Sequence, residues 1–243
     1  MSKRIVITGA STGIGAATAE HLASGNTVFI HYRSSDQAAE DVKQEVERRG
    51  GQAYLVKCDL MTEQGCEQLF GEVSAKTDAV DVLVNSAGGF PERHSVDNLS
   101  WELMQHIFAL NTFSTMKVSS LFVPLLKKGQ SPCIVNITSV AARSGAPTAT
   151  LYGASKGAID TFNRGMAKEL APAIRVNAVA PGIVETPFHD KVSTREQLDA
   201  LKQKTPLQCH GTARLMAETV GLLIENTYMT GATIDVNGGL DMH

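Results

Sequence analysis

Residues 4–15 read "RIVITGASTGIG": five β-rich residues, a turn carrying Gly9, Gly13 and Gly15, and the opening of a helical segment. A turn this tight needs glycine backbone freedom, and it lets main-chain N–H groups approach a phosphate at a helix N-terminus. The loop joins the first strand to the first helix, where a pyrophosphate cradle stands in an α/β fold. Its spacing is not G-x-G-x-x-G, so that fingerprint is not the basis of the reading. Three glycines in a turn also serve purely structural ends.

Outward from this loop the same alternation continues. The runs "TVFIHY" (27–32), "AYLVKC" (53–58), "DVLVN" (81–85), "CIVNIT" (133–138), "IRVNAVA" (174–180) and "ATIDV" (232–236) bring the predicted strands to seven. They are near-continuously apolar rather than alternating, as strands covered on both faces are. Helical-period segments at 14–24, 36–49, 63–77, 100–128, 151–171 and 213–225 separate most of them. The pattern predicts one α/β domain over 1–243, a Rossmann-type doubly wound seven-stranded parallel sheet with helices on both faces. Right-handed crossovers then place ligand sites at the carboxyl ends of the strands. The polar, weakly periodic segment 183–211 is a candidate substrate lid, with an ordinary surface excursion as the plainer alternative.

Composition narrows the partners. With 43% hydrophobic and 19% charged residues the chain can bury a substantial core. The net charge is −3 and the Lys and Arg residues are scattered, so no nucleic acid or membrane surface is expected, and the partner is read as a small molecule. The apolar run Ile5 to Ile7 is too short for a secretory signal, and no stretch approaches membrane-spanning length. Cys58, Cys66, Cys133 and Cys209 lie far apart and read as buried free thiols in a reduced, cytoplasmic setting. The seven histidines have no metal-ligand spacing, so no metal is expected, and a G-x-S-x-G hydrolase elbow is absent. Asp78 and Asp81 read as turn residues before the fourth strand.

A second stretch, "TATLYGASKGAID" (148–160), is mild except for Tyr152 and Lys156, four apart on one helix face. In isolation such a pair is usually a half-buried face with a snorkelling lysine. Ser139, thirteen residues before the tyrosine and at the end of the fifth predicted strand, weighs the other way.

Taken in order, these motifs resemble the short-chain dehydrogenase/reductase family over nearly the whole chain. The glycine motif is Thr8-Gly9-x-x-x-Gly13-Ile14-Gly15, "NSAG" (85–88) stands where the family usually has Asn-Ala-Ala-Gly, and "YGASK" is its Tyr-x-x-x-Lys. Asn111 within "FALNTF" fits the family's helix asparagine, and "APGIVET" (180–186) fits the Pro-Gly segment lining the nicotinamide. The resemblance implies an NAD(P)-dependent oxidoreductase interconverting a carbonyl and a secondary alcohol, with Asn111, Ser139, Tyr152 and Lys156 as the catalytic set. It implies phosphate contacts from Gly9, Ser11, Thr12, Gly13, Ile14 and Gly15, and adenosine contacts from Arg33, Ser34, Asp59 and Leu60. On the nicotinamide side it implies Asn85, Ala87, Gly88, Pro181, Gly182, Val184 and Thr186, together with Tyr152 and Lys156.

The second strand ends "IHYRSS". NAD-using members typically carry an aspartate here, whereas this chain has Tyr32, then Arg33 and Ser34. A guanidinium pairs with phosphate in a forked geometry, so NADP(H) is expected over NAD(H); a solvated arginine is the alternative. Thr12 stands where many NADP-using relatives have a basic residue. Asp59 resembles the residue that caps the adenine, and a helix N-cap for the segment beginning at Thr62 is its structural alternative.

Reducing a ketone needs a hydride at carbon and a proton at oxygen, and a nicotinamide supplies only the first. Bringing a tyrosine from about 10 to about 7 takes about 4 kcal/mol in favour of the phenolate. An ammonium about 4 Å away, at an effective dielectric of about 20, contributes about that much. Lys156 is therefore expected to tune Tyr152. The resemblance adds a Lys156 grip on the ribose hydroxyls, a proton-relaying water supported by Asn111, and Ser139 at the substrate oxygen.

The ending "TGATIDVNGGLDMH" most resembles bacterial 3-oxoacyl-[acyl-carrier-protein] reductases, with a sugar, steroid or xenobiotic carbonyl as the alternative. Where such reductases tend to be basic for an acidic carrier, this chain has Gln130 and Pro172-Ala173, with Lys127 and Lys128 nearby. Phe90 in "GGFPERH" (88–94), Phe188 and His189 are the candidate substrate contacts. The family resemblance implies a homotetramer through 100–128, 151–171 and the last strand. A catalytically silent NADP-binding sensor is the rival from another class, but such proteins usually lose the tyrosine or the lysine.

Overall fold

The structure is a computed structural model and describes residues 2–188 and 192–242. Seven strands form one parallel sheet: β1 (Arg4–Thr8), β2 (Thr27–Tyr32), β3 (Gln52–Lys57), β4 (Val82–Asn85), β5 (Cys133–Ile137), β6 (Arg175–Pro181) and β9 (Thr233–Val236). Their order is β3-β2-β1-β4-β5-β6-β9, the Rossmann-type doubly wound arrangement. The direction of winding reverses between β1 and β4, which opens a crevice at their carboxyl ends.

The apolar runs are explained by two-sided burial. Ile5 and Ile7 of β1 pack with Val28, Ile30, Val82, Val84 and Val135 on one face, under α1 (Gly13–His21), α2 (Asp36–Arg48) and α9 (Ala213–Glu225). Val6 points the other way, with Phe29, Leu83, Ile134 and Val176, against α3 (Glu63–Ser74), α5 (Ser114–Leu126) and α7 (Thr150–Leu170). Alternate residues thus serve different cores. In α2 the buried Ala39, Val42 and Val46 recur at helical spacing, while the rest of the helix faces solvent.

Five local features depart from the sequence reading. The predicted helix 100–128 is divided into α4 (Trp101–Phe108), a π-helical turn (Ala109–Phe113) and α5. The cause lies in three polar side chains within five residues that bond back to the fourth carbonyl behind: Asn111 Nδ2 to Ile107 O (3.0 Å), Ser114 Oγ to Leu110 O (2.7 Å) and Thr115 Oγ1 to Asn111 O (2.9 Å). Segment 183–211 carries structure of its own: β7 (Val184–Glu185) pairs with β8 (Gly211–Thr212), and α8 (Arg195–Lys204) starts with a capping box of Thr194 and Gln197. A short α6 (Ala141–Ser144) precedes α7. Asp81 is no ordinary turn residue, being 1% exposed and gripped by Arg4 Nε (2.9 Å) and by the Gln130 N–H (2.6 Å), while Asp78 stays at the surface. Cys58, Cys66 and Cys133 are buried as expected, but Cys209 is exposed because it lies in the polar stretch between α8 and β8.

Candidate active site

At the carboxyl end of the sheet an open cleft of about 960 Å³ runs from the β2 terminus, across the glycine loop, to the start of α7. At one end the loop leaves β1 with Gly9 at φ 62° and Gly13 at φ 58°, the left-handed region that glycine enters freely. A Cβ on Gly9 would lie 2.8 Å from the Ala87 Cα, so only glycine lets the two loops touch. Thr12 begins α1 without a side-chain cap, and the first turn holds no acidic residue. The first-turn N–H groups and the positive helix end therefore face the cleft uncompensated, which suits an anion.

His31, which the sequence reading passed over, holds this loop in place. The Gly9 N–H donates to its Nδ1 (3.0 Å), and Nε2 faces the Cys58 carbonyl (3.2 Å), which puts the proton on Nε2. Burial pushes its pKa down to about 4, so the ring stays neutral. The available signal was a histidine inside an otherwise apolar strand.

At the adenosine end, Arg33, Ser34, Asp59 and Leu60 line the cleft with Met61. The Arg33 guanidinium rests on the Met61 sulfur (3.3 Å). The nearest acid in sequence, Asp36, is turned to Lys57 Nζ (2.7 Å) and the Tyr32 hydroxyl (3.1 Å). Asp59 accepts from the Met61 N–H (3.0 Å), while the α3 cap is Thr62, whose hydroxyl accepts from Gly65 N (3.0 Å).

At the other end, β5 delivers Ser139, and α7 delivers Tyr152 and Lys156 one turn apart. The Ser139 hydroxyl hydrogen-bonds the phenol. Lys156 is 4% exposed; its Nζ donates to the Ile137 carbonyl (2.8 Å) and lies 5.9 Å from the Tyr152 ring centroid. The expected tuning does not appear in this geometry. Burial pushes Tyr152 up to about 12, the Ser139 hydrogen bond working against it, and burial pushes Lys156 down to about 8. Desolvation disfavours both charged forms, and it outweighs the attraction estimated from helix spacing.

Asn111 is fully buried behind the cleft. Its Oδ1 accepts from the Gly89 N–H (3.0 Å) and its Nδ2 donates to the Gly89 carbonyl (2.9 Å). A Cβ on Gly88 would meet Asn111 Oδ1 at 2.8 Å and Lys156 Nζ at 3.1 Å, so this glycine lets asparagine and lysine close on the loop.

Of the other expected contacts, Ser11, Thr12, Ile14, Ala87, Pro181, Gly182, Val184 and Thr186 line the cleft. Two do not. Gly15 packs inside α1, where a Cβ would collide with the Gly9 carbonyl. Asn85 is buried, its amide donating to Ser119 Oγ and Asn136 Oδ1, both at 2.9 Å. Phe90 and Phe188 flank the Tyr152 ring with centroids 5.6 and 5.8 Å away, beside Ala146, Ala149 and Val192. His189 lies outside the described residues. His106, Leu110, Leu201 and Leu240 also line the cleft and were missed. Leu110 adjoins Asn111, a signal that was available.

A family model described as Enoyl-(Acyl carrier protein) reductase matches residues 9–241. The chain belongs to the short-chain dehydrogenase/reductase family. As a member of it, the chain is 34% identical over 242 residues to the oxidoreductase YgfF of Escherichia coli strain K12, covering 96% of this chain and 98% of that one. It is also 34% identical over 242 residues to a 3-oxoacyl-[acyl-carrier-protein] reductase of Synechocystis, covering 98% of this chain and 96% of that one. A short-chain dehydrogenase from Burkholderia cenocepacia, solved in complex with NADP, superposes with a TM-score of 0.92 at 29% identity, over 99% of this chain and 98% of that one. This short-chain dehydrogenase/reductase is thus an oxidoreductase by family. Among its described residues no helix is long and apolar enough to cross a membrane.

Proposed function

We propose that the chain is a single-domain NADP(H)-dependent carbonyl reductase, acting equally as a secondary-alcohol dehydrogenase, with 183–211 as its substrate lid. One observation carries the reading: Ser139, Tyr152 and Lys156 meet at one end of the cleft whose other end holds the glycine loop and Arg33. The residues fit a phosphorylated dinucleotide, given the uncapped α1 start, the two left-handed glycines and a guanidinium at the adenosine rim. In this reading Arg33 and Ser34 hold the 2′-phosphate, the α1 N-terminus the pyrophosphate, Asp59 and Leu60 the adenine, and Ala87, Gly88 and 181–186 the nicotinamide ribose and ring.

When bound, NADPH supplies a hydride to the carbonyl carbon. Tyr152, with a pKa pushed up to about 12, is a neutral phenol at neutral pH and supplies the proton to oxygen. Ser139 donates a hydrogen bond to that same oxygen as charge develops on it. Lys156, at about 8, still carries its charge at neutral pH, with its Nζ 5.9 Å from the Tyr152 ring centroid. Asn111 holds Gly89, and through it the loop that walls the Lys156 pocket.

The substrate end is aromatic and aliphatic, which favours an uncharged apolar carbonyl. A 3-oxoacyl thioester is the first candidate, with sugar, steroid and xenobiotic carbonyls behind it. We also propose a cytoplasmic setting and a homotetramer, the assembly supported by Trp101 (66% exposed) and Phe113 (57% exposed) on α4 and the π turn; a monomer in sedimentation would contradict the assembly. The function is tested by following nicotinamide absorbance with a carbonyl panel that includes an acetoacetyl thioester, a sugar and a quinone. NADPH consumption with at least one member is expected. Tight NADPH binding with no turnover across the panel would favour the silent sensor.

A further inference from the structure

The loop "GGFPERH" (88–94) reaches well beyond the glycines the proposed function uses. It borders the cleft and joins two parts of the molecule that are remote from it in sequence. Arg93 Nε donates to the Val192 carbonyl (2.8 Å) and Nη2 to Ser193 Oγ (3.4 Å), both on segment 183–211. From the same guanidinium Nη1 donates to Thr148 Oγ1 (2.9 Å), just before α7.

The neighbouring residue completes the contact with α7. The His94 N–H donates to the Thr148 carbonyl (2.9 Å), and its Nε2 accepts from the Leu151 N–H (3.4 Å). Its Nδ1 faces the Glu92 carbonyl (3.3 Å), consistent with the proton residing there. Ala149, at the start of α7, provides no side-chain cap, so a first-turn amide of the helix carrying Tyr152 is capped from the far side of the cleft. The Phe90 ring packs between His94 (centroids 5.9 Å) and Tyr152 (5.6 Å). The turn it grips holds Ala146 at φ 43° and Thr148 at φ 65°, a conformation that side-chain-bearing residues keep only where their surroundings impose it.

We infer that Arg93 is a positioning residue that ties the lid to the turn leading into α7, so that lid closure and the orientation of the Tyr152 phenol are one event. The inference rests on the proposed function for the roles of lid and phenol. Arginine suits the task because its rigid fork presents several donors to different elements at once, whereas a lysine ammonium is a single mobile point.

The test is hydrogen exchange on the full chain saturated with NADPH, comparing wild type with Arg93→Ala, Arg93→Lys and Thr148→Val. The last is isosteric and cuts the tie from the α7 side, so the test survives if an Arg93 variant fails to fold. In each variant, peptides from 192–204 and from 149–155 should both exchange faster, on the order of tenfold for loss of a charged hydrogen bond, with β1 and β4 unchanged. Faster exchange in the lid alone, or in neither segment, overturns the tie. In turnover, kcat for a carbonyl should fall about tenfold on the same ground with NADPH affinity held within about twofold. A rise in KM at constant kcat would make Arg93 a lid tether only and overturn the positioning role. If the wild type reduces no carbonyl at all, the oxidoreductase reading falls, while the exchange result still decides whether the tie exists.

Discussion

At the level of single residues, the site rests on side chains whose ordinary behaviour is altered by burial. The sequence identified Tyr152 and Lys156 as partners because they are one helical turn apart, and the fold does place both at the cleft. What spacing did not reveal is the reach of the lysine stem, which carries Nζ past the ring to the Ile137 carbonyl at the end of β5. Nor did it reveal the depth of the pocket, which pushes the phenol up instead of down. Arg33 is the opposite case, an exposed side chain whose meaning comes from what is missing beside it: the nearest acid, Asp36, already serves Lys57 and Tyr32. Replacing it tests the cofactor assignment. Arg33→Ala should weaken NADPH on the order of tenfold to a hundredfold, the range for a charge-assisted hydrogen bond, and leave NADH within about twofold in a binding titration. Equal losses for both cofactors would remove the 2′-phosphate from its role.

The elements show where sequence patterns give out. All seven strands were legible because both cores leave them apolar. The break in 100–128 was not, because Asn111, Ser114 and Thr115 act through side-chain bonds to their own helix, which hydrophobic periodicity does not record. Helix α8 was missed because none of its residues is buried, leaving no apolar stripe to detect. The coupling of β2 to the glycine loop through His31 is another such bond, and it has a measurable consequence. The unfolded chain takes up this proton near 6.5, and the fold holds it off to about 4. Stability from His31 is therefore complete above about pH 6.5 and is lost as pH falls toward about 4, on the order of 3 kcal/mol in all. Denaturant unfolding of wild type and His31→Gln across that window should show the extra slope in wild type alone. Parallel profiles would mean that the ring does not couple to folding.

For the molecule as a whole, topology decides where chemistry is possible. The sheet reverses its winding between β1 and β4, and everything assigned to cofactor or substrate gathers at that end: the glycine loop after β1, Ala87 and Gly88 after β4, Ser139 after β5, and 181–186 after β6. The family pattern in the sequence was enough to foresee this gathering. It was not enough to separate residues that face the cleft from Asn85 and Gly15, which support it from behind. In the proposed reaction Tyr152 delivers a proton to the oxygen of a carbonyl whose carbon takes the hydride. This step is tested most directly by the single-turnover reduction rate of Tyr152→Phe, measured beside its NADPH dissociation constant. The expected result is a rate loss on the order of 10²- to 10⁴-fold, as for removal of a general acid, with NADPH affinity within about twofold of wild type. Retained turnover, or an equal loss of NADPH binding, would contradict it.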